Sequence, residues 1–167
     1  MVEMNYALRS YNQGMGRMNS TTRMNYKQNQ ESCVKGIGNN NSAYRQYQSD
    51  MVNTATPQEL TLMLYNGLIK FLKLAYQGIE EKNIEKANNN IIKSQNIIVE
   101  FMSTLDMQYE VSGGLYSLYE YMNRRLLDAN IKKDKAIVEE VIGYAEELRD
   151  TWEKAMKLAK QNEPASV

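Results

Sequence analysis

The distribution of proline limits the folds that are open to this chain. Only two prolines occur, Pro57 and Pro164. Proline breaks a helix when it lies in the interior but is well tolerated in the first helical turn. The roughly one hundred residues between the two prolines contain almost no helix breaker except glycine. This pattern predicts an all-α fold.

The start of the first long helix is marked by its capping residues. Thr56 can cap the first turn, and Glu59 can reach back to form a capping box. Pro57 takes the first helical position, where its missing N–H would have no partner. The polar positions that follow lie on one stripe only about 60° wide: Asn66, Lys70, Lys73 and Gln77.

The segment Thr54 to Ala75 carries more apolar surface than one buried helix face requires. The centre line of its apolar face, continued past Ala75, consists of Leu64, Leu68, Phe71, Ala75 and Ile79. The two flanks consist of Leu60, Met63 and Leu74 on one side and Leu62, Tyr65, Ile69 and Tyr76 on the other. A typical surface helix buries a single apolar stripe. We therefore expect this helix either to be central or to be covered by a partner.

Three further helices are predicted. Asn83 can cap a second helix, whose apolar positions have helical spacing. Ser112-Gly113-Gly114 breaks this pattern and predicts a turn before a third helix that ends near Asn130. Asp134 can cap a fourth helix. The apolar positions expected on the second helix are Ile84, Ala87, Ile91, Ile98, Phe101, Met102 and Leu105. The single seam of the fourth helix consists of Val138, Val141, Ala145, Leu148, Trp152, Ala155 and Ala159.

Short connections make sequential helices neighbours, so the sequence predicts an antiparallel up-down four-helix bundle over residues 54–161. Residues 1–42 are predicted to be a flexible, disordered polar leader, because they are rich in Asn, Gln, Ser, Met and Tyr and offer little to bury. A short N-terminal capping helix is expected over 43–53. Residues 162–167 are expected to be a disordered tail.

Composition excludes several classes of function. The chain has 20 basic and 20 acidic residues, so no global field favours nucleic acid. It has no histidine and a single cysteine, Cys33, which removes the usual zinc ligands, the common general base and any intrachain disulfide. We therefore expect no enzyme, no cofactor and no metal site. No apolar run is long enough to insert into a membrane, and a cytoplasmic location is expected.

Several motifs occur in order along residues 44–155. Tyr44 and Tyr47 precede Thr-Ala-Thr-Pro-Gln-Glu-Leu at 54–60 and Met-Leu-Tyr-Asn-Gly at 63–67. The matches continue through Lys86-Ala87, Ile91-Ile92, Leu105-Asp106, Gly113-Gly114, Leu118-Tyr119, Tyr121-Met122, Leu126, Ala129-Asn130, Leu148-Arg149 and Trp152. In this pattern the chain resembles the flagellar secretion chaperones of the FliS family.

The resemblance implies a cytoplasmic export chaperone. Such a protein binds the disordered C-terminal tail of flagellin, prevents premature polymerisation and delivers flagellin to the flagellar type III export apparatus. The cytoplasmic part of the export gate is the second implied partner. The alternative is a non-enzymatic helical scaffold or adaptor that uses its spare apolar face to form a homodimer.

A spare apolar helix face can receive an amphipathic segment of a client. The predicted client-binding groove consists of Leu60, Met63, Leu64, Gly67, Leu68, Phe71, Tyr119 and Met122. Bundle core is the alternative for these side chains; Leu64 and Leu68 fit it best, whereas the adaptable thioether of Met63 fits a groove. The segment predicted to cover the groove in the absence of client consists of Tyr44, Tyr47, Met51 and Val52.

Overall fold

The computed structural model describes residues 54–161, which form four α-helices and no β-strand. The helices are α1 (Pro57–Glu80), α2 (Ile84–Thr104), α3 (Glu110–Lys132) and α4 (Lys135–Gln161). The all-α prediction is therefore confirmed. The predicted capping helix, leader and tail lie outside the described residues.

The capping box at the start of α1 is present. The Thr56 side chain accepts a hydrogen bond from the Glu59 backbone N–H (3.3 Å), and the Thr56 N–H donates to Glu59 Oε2 (2.9 Å). The hydrogen bond from the Thr56 backbone also lowers the pKa of Glu59. Pro57 occupies the first helical turn, as predicted.

The turn between α1 and α2 brings the two helices into close contact. Asn83 caps α2 by accepting a hydrogen bond from the Lys86 N–H (2.9 Å), as predicted. Gly78 faces Ala87 so closely that a Cβ at position 78 would lie 2.7 Å from the Ala87 backbone nitrogen. The absence of a side chain at Gly78 therefore permits this packing distance.

The four helices close into a ring in which each helix runs antiparallel to its neighbours. α1 packs against α2 and α4, and α3 packs against α2 and α4. At the start of α4, Lys135 pairs with Glu80 at the end of α1 (2.8 Å). Farther along α4, the indole N–H of Trp152 donates to the carbonyl of Gln58 near the start of α1 (3.1 Å). These contacts confirm the antiparallel up-down bundle.

The predicted glycine turn at residues 112–114 is wrong. Gly113 and Gly114 lie within the first turns of α3, and neither has a positive φ. The chain turns earlier, between Leu105 and Tyr109, where the Ser112 hydroxyl donates to the carbonyl of Asp106 (2.7 Å). Because the turn is set by this polar contact, the glycines are ordinary exposed helix residues.

The apolar surplus of α1 lies mostly inside the bundle. Its centre line is buried from Leu64 to Ala75, and residues of both flanks, including Leu60 and Tyr65, are buried as well. The remaining flank residues are half-buried against the core: Leu62, Met63, Leu74 and Tyr76. α1 is therefore central, because α2 and α4 pack on it from two sides.

Candidate functional site

The predicted groove residues occupy the bundle interior. Only Met63 is half-buried, and the other seven are buried: Leu60, Leu64, Gly67, Leu68, Phe71, Tyr119 and Met122. This burial favours the core alternative for the seven. As a client groove the set stays a prediction, and its predicted cover of Tyr44, Tyr47, Met51 and Val52 lies outside the described part of the chain.

Aromatic packing accounts for the burial of Tyr119. Its ring stacks on Phe101 with the centroids 5.3 Å apart, and Phe101 also packs on Tyr65 at 4.5 Å. The hydroxyl oxygens of Tyr65 and Tyr119 are 2.6 Å apart and share a buried hydrogen bond. Trp152 adds a fourth ring, 6.5 Å from Tyr65. This cluster joins all four helices, which makes Tyr119 a core residue.

A different surface carries large apolar side chains in solvent. On α2 they are Ile84, Ile92 and Val99, and on α3 they are Tyr116, Leu127 and Ile131. At about 100° per residue, the three positions on α2 span only about 80°, and the three on α3 span about 60°. Ile131 is 72% exposed and Ile84 is 66% exposed, so the core does not require them. These six residues define the outer α2–α3 face.

Two hydrogen bonds join the helices along the middle of this face. The side chain of Gln95 donates to the carbonyl of Asn123 (3.4 Å), and that of Asn130 donates to Asn88 Oδ1 (2.7 Å). Asn88 and Gln95 share the helical stripe of Ile84, Ile92 and Val99. Neutral amides thus lie within the outer α2–α3 face and join α2 to α3 there; these two hydrogen bonds form the amide seam.

The surface of α2 on this face is nearly free of charge. Between Lys86 and Ser103, its exposed residues are Asn89, Ile92, Lys93, Asn96 and Val99. The one cation among them, Lys93, lies over the ring of Phe71 on the α1 side, 5.2 Å from the centroid. By contrast, the exposed positions of α4 include Glu139, Glu147, Asp150, Lys154 and Lys157. Depletion of charge combined with exposed apolar side chains is typical of a protein-binding surface.

Sequence reasoning did not identify this face: Ile84 was counted only among the helically spaced apolar residues of the second helix, and it is 66% exposed. The available signal was a set of apolar doublets: Ile91-Ile92, Ile98-Val99 and Leu126-Leu127. Neighbouring residues on a helix point about 100° apart, so a run of apolar residues is wider than a narrow buried stripe. In Ile97-Ile98-Val99 the first two side chains are buried and only Val99 is exposed. In each doublet the first residue is fully buried and the second is exposed.

A polar cluster fastens α3 to α4 on another side of the bundle. The Tyr121 hydroxyl donates to Glu140 Oε1 (2.5 Å), and Arg125 donates to Glu140 Oε2 through Nε (3.0 Å) and Nη2 (2.6 Å). Arg125, followed by the Tyr121 hydroxyl, lowers the pKa of Glu140, and the carboxylate raises the pKa of Tyr121. These shifts are explained by a structural ion pair that orients α3.

Metal-ligand clusters and membrane-spanning helices are both absent from the described residues. Within 54–161, no group of three or more Cys, Asp or Glu residues is placed to hold a metal ion. No helix in the same range is long and apolar enough to cross a membrane.

Comparison with known proteins identifies the family. The family model described as "Flagellar protein FliS" matches residues 39–159. The flagellar secretion chaperone FliS of Bacillus subtilis is 48% identical over 123 residues, which cover 74% of this chain and 92% of the relative. The FliS protein of Escherichia coli is 32% identical, over 63% of this chain and 79% of the relative. The FliS protein of Campylobacter jejuni is 30% identical, over 68% of this chain and 90% of the relative. The chain thus belongs to the FliS family of flagellar secretion chaperones.

Proposed function

We propose that this protein is a cytoplasmic chaperone that binds the disordered C-terminal tail of flagellin, prevents premature polymerisation and delivers flagellin to the type III export apparatus. Membership of the family supports the flagellar export role. The outer α2–α3 face is the observation that carries the binding mode, because it combines exposed apolar side chains on both helices with an α2 surface that carries little charge. The cytoplasmic part of the export gate is the second proposed partner.

The shape of the face suits an amphipathic helix. α2 has 21 residues, which gives it a length of about 30 Å at 1.5 Å per residue. A client helix of about 20 residues would match that length and could place apolar anchors at i, i+3, i+4 and i+7 against the two stripes. The amide seam within the face offers hydrogen-bonding groups to the polar edge of such a helix.

Binding through this face would be coupled to folding of the client. Ordering a disordered segment costs several kcal/mol of the gross interaction energy, so a large contact can remain reversible. Reversibility is what an export chaperone needs, since it must hand over its client. α2 contributes almost no charge to the face, and the exposed α3 residues Glu120 and Arg124 carry opposite charges that balance. We therefore expect affinity to change little with salt concentration.

Size-exclusion chromatography with light scattering tests the proposal directly. The full chain should form a stoichiometric complex with monomeric flagellin, and the complex should disappear when the flagellin C-terminal tail is deleted. Flagellin in this complex should also fail to polymerise in a turbidity assay. If the protein forms a dimer with itself and does not bind flagellin, that result would contradict the proposal and favour the scaffold alternative.

Point variants locate the binding face. Ile92→Glu and Leu127→Glu place a charge on the outer α2–α3 face at positions that are 43% and 52% exposed, so they should preserve the fold. Each should weaken flagellin binding by about tenfold or more, as expected for a contact inside an interface. Thr151→Glu is the matched control on the exposed side of α4 and should bind normally.

Met63→Ala examines the groove that the sequence predicted on α1. Normal binding by this variant, together with loss of binding by the two glutamate variants, supports the outer α2–α3 face. If Met63→Ala weakens binding and the glutamate variants do not, the client binds along α1 instead.

A further inference from the structure

One end of the bundle contains a small cavity that the proposed client face does not explain. Its volume is about 320 Å³, which is at the lower limit for ligand pockets. The residues that line it come from the α1–α2 turn, the start of α2 and the end of α3: Gly78, Ile79, Lys82, Ile84, Ala87 and Lys133. A space of this size suits one side chain of a partner rather than a large cofactor.

The walls of the cavity are held by backbone geometry. In the α1–α2 turn, the Asn83 N–H donates to the Gly78 carbonyl (2.8 Å) and the Lys82 N–H donates to the Ile79 carbonyl (3.1 Å). Lys82 has φ 55° and so reverses the chain in the left-handed region. Lys133 does the same at the end of α3, with φ 52° and a backbone N–H bound to the Ala129 carbonyl. The cavity therefore exists before any ligand arrives.

The lining combines an apolar interior with positive charge. Ile79, Ile84 and Ala87 supply the apolar surface, and the charged lining residues are the two lysines, Lys82 and Lys133. Lysine side chains can line such a site with their methylene stems while the ammonium groups stay in water. The site thus favours a ligand that is aliphatic at one end and anionic at the other.

These two lysines are available, unlike their neighbours. Lys86 pairs with Glu81 (2.9 Å), and Lys135 is held by Glu80 in the same way. Within residues 54–161, the Lys82 side chain makes no hydrogen bond or ion pair, and the Lys133 ammonium donates only to the neutral side-chain oxygen of Asn130. The carboxylates of Glu85 and Asp134 follow Ile84 and Lys133 in the chain but do not line the cavity.

We propose that this cavity binds an aliphatic side chain of a partner peptide next to a carboxylate, with Lys82 and Lys133 as the cationic contacts. An inorganic phosphate would gain nothing from the apolar interior, whereas an aliphatic peptide residue would bury its side chain there. Ile84 belongs both to the cavity and to the outer α2–α3 face, so one partner chain can occupy both. The carboxylate is either a peptide C-terminus or an acidic side chain.

Titration of the isotope-labelled full chain with short peptides tests the site by NMR. Acetyl-Ala-Leu with a free C-terminus is compared with its C-terminal amide, and acetyl-Leu-Glu-amide with acetyl-Leu-Gln-amide. We expect saturable shifts of the amide signals around Gly78 and Ala87, and binding at least threefold tighter for the carboxylate members. The tighter of the two acids identifies the source of the carboxylate, and equal binding of both means that the site accepts either.

Variants of the lining residues separate recognition of the carboxylate from non-specific apolar binding. The double variant Lys82→Asn/Lys133→Asn keeps residues that tolerate positive φ and should abolish the preference for the acids. Ile84→Ala should weaken the binding of acids and amides alike, because it removes part of the apolar wall of the cavity. The Ile84 side chain is 66% exposed, so we expect the fold to be preserved. Lys157→Gln, on the exposed far end of α4, is the control and should change nothing.

Several results would overturn the inference. Equal affinity for acid and amide, an unchanged preference in the double lysine variant, or shifts scattered outside the cavity would each do so. Because the probes contain no flagellin, the outcome is independent of whether flagellin is the client. If the double variant fails to fold, the same loss of acid preference is sought in Lys82→Asn alone and in wild type at 0.5 M salt.

Discussion

Gly78→Ala should loosen the contact between α1 and α2. The added Cβ would lie 2.7 Å from the backbone nitrogen of Ala87, 3.0 Å from its Cα and 3.2 Å from its Cβ. Two of these three atoms belong to the backbone, so a rotamer change cannot relieve the clash. The helices must move apart near the turn, and the packing around them must adjust.

Two opposing terms set the size of the effect. Overpacking of a tight contact typically costs about 1 to 3 kcal/mol. Removing glycine from a helix interior returns about 0.5 to 1 kcal/mol, because the unfolded chain loses conformational freedom. Since the clash involves backbone, we expect the first term to dominate and the free energy of unfolding to fall by about 1 to 2 kcal/mol.

Gly143→Ala is the matched control for the same substitution. Gly143 lies in α4, and an added Cβ there would meet nothing within 4 Å. That variant should gain about 0.5 to 1 kcal/mol. The difference between the two variants isolates the steric term, which should be about 1 to 3 kcal/mol.

Urea unfolding followed by far-ultraviolet circular dichroism measures both free energies under identical conditions. A similar denaturant slope for wild type and both variants validates the comparison. If Gly78→Ala and Gly143→Ala shift stability equally, the close approach of α1 and α2 is not the constraint on residue 78. Such a result would refute the reasoning from contact distances.

Three further predictions concern stability. Leu64→Ala should cost about 2 to 5 kcal/mol because the side chain is fully buried, whereas Leu127→Ala, at 52% exposure, should lie within about 0.5 kcal/mol of wild type in the same urea assay. Thr56→Ala removes the N-cap of α1 and should cost about 1 kcal/mol; an unchanged midpoint would mean that the cap is dispensable. Arg125 lowers the pKa of Glu140, so this pair should stabilise the fold above the unfolded carboxyl pKa of about 4.3, and its contribution should vanish as pH falls through the lower folded pKa. As pH is lowered, the free energy of unfolding should then fall less steeply in Glu140→Gln than in wild type.

Helix boundaries could be predicted where a side chain performs the capping itself. Thr56 and Asn83 accept hydrogen bonds from the first turns of α1 and α2, and Asp134 accepts one from the Ala136 N–H at the start of α4. Each of these contacts spans only two or three residues. Local sequence therefore contains all the information that fixes them.

The turn before α3 could not be predicted in the same way. Two adjacent glycines favour a break in any local reading, yet Gly113 and Gly114 are helical. The competing contact joins Ser112 to Asp106, six residues earlier. Glycine permits a turn without requiring one, so the longer contact decided where α3 begins.

Apolar excess has different outcomes on different helices, and the reason is where the extra apolar residues lie relative to the two neighbouring helices. Both flanks of α1 contact adjacent helices, so most of its extra apolar side chains are buried inside the bundle. The groove predicted on α1 therefore coincides largely with the core. α2 and α3 also have two neighbours each, but Ile92, Val99 and Leu127 follow core residues and lie about 100° round the helix. No adjacent helix of the described bundle covers them. A doublet alone does not mark an exposed face, since both members are buried in Ile97-Ile98 and in Ile137-Val138. Whether the second residue is exposed depends on whether a neighbouring helix lies on the side to which it points.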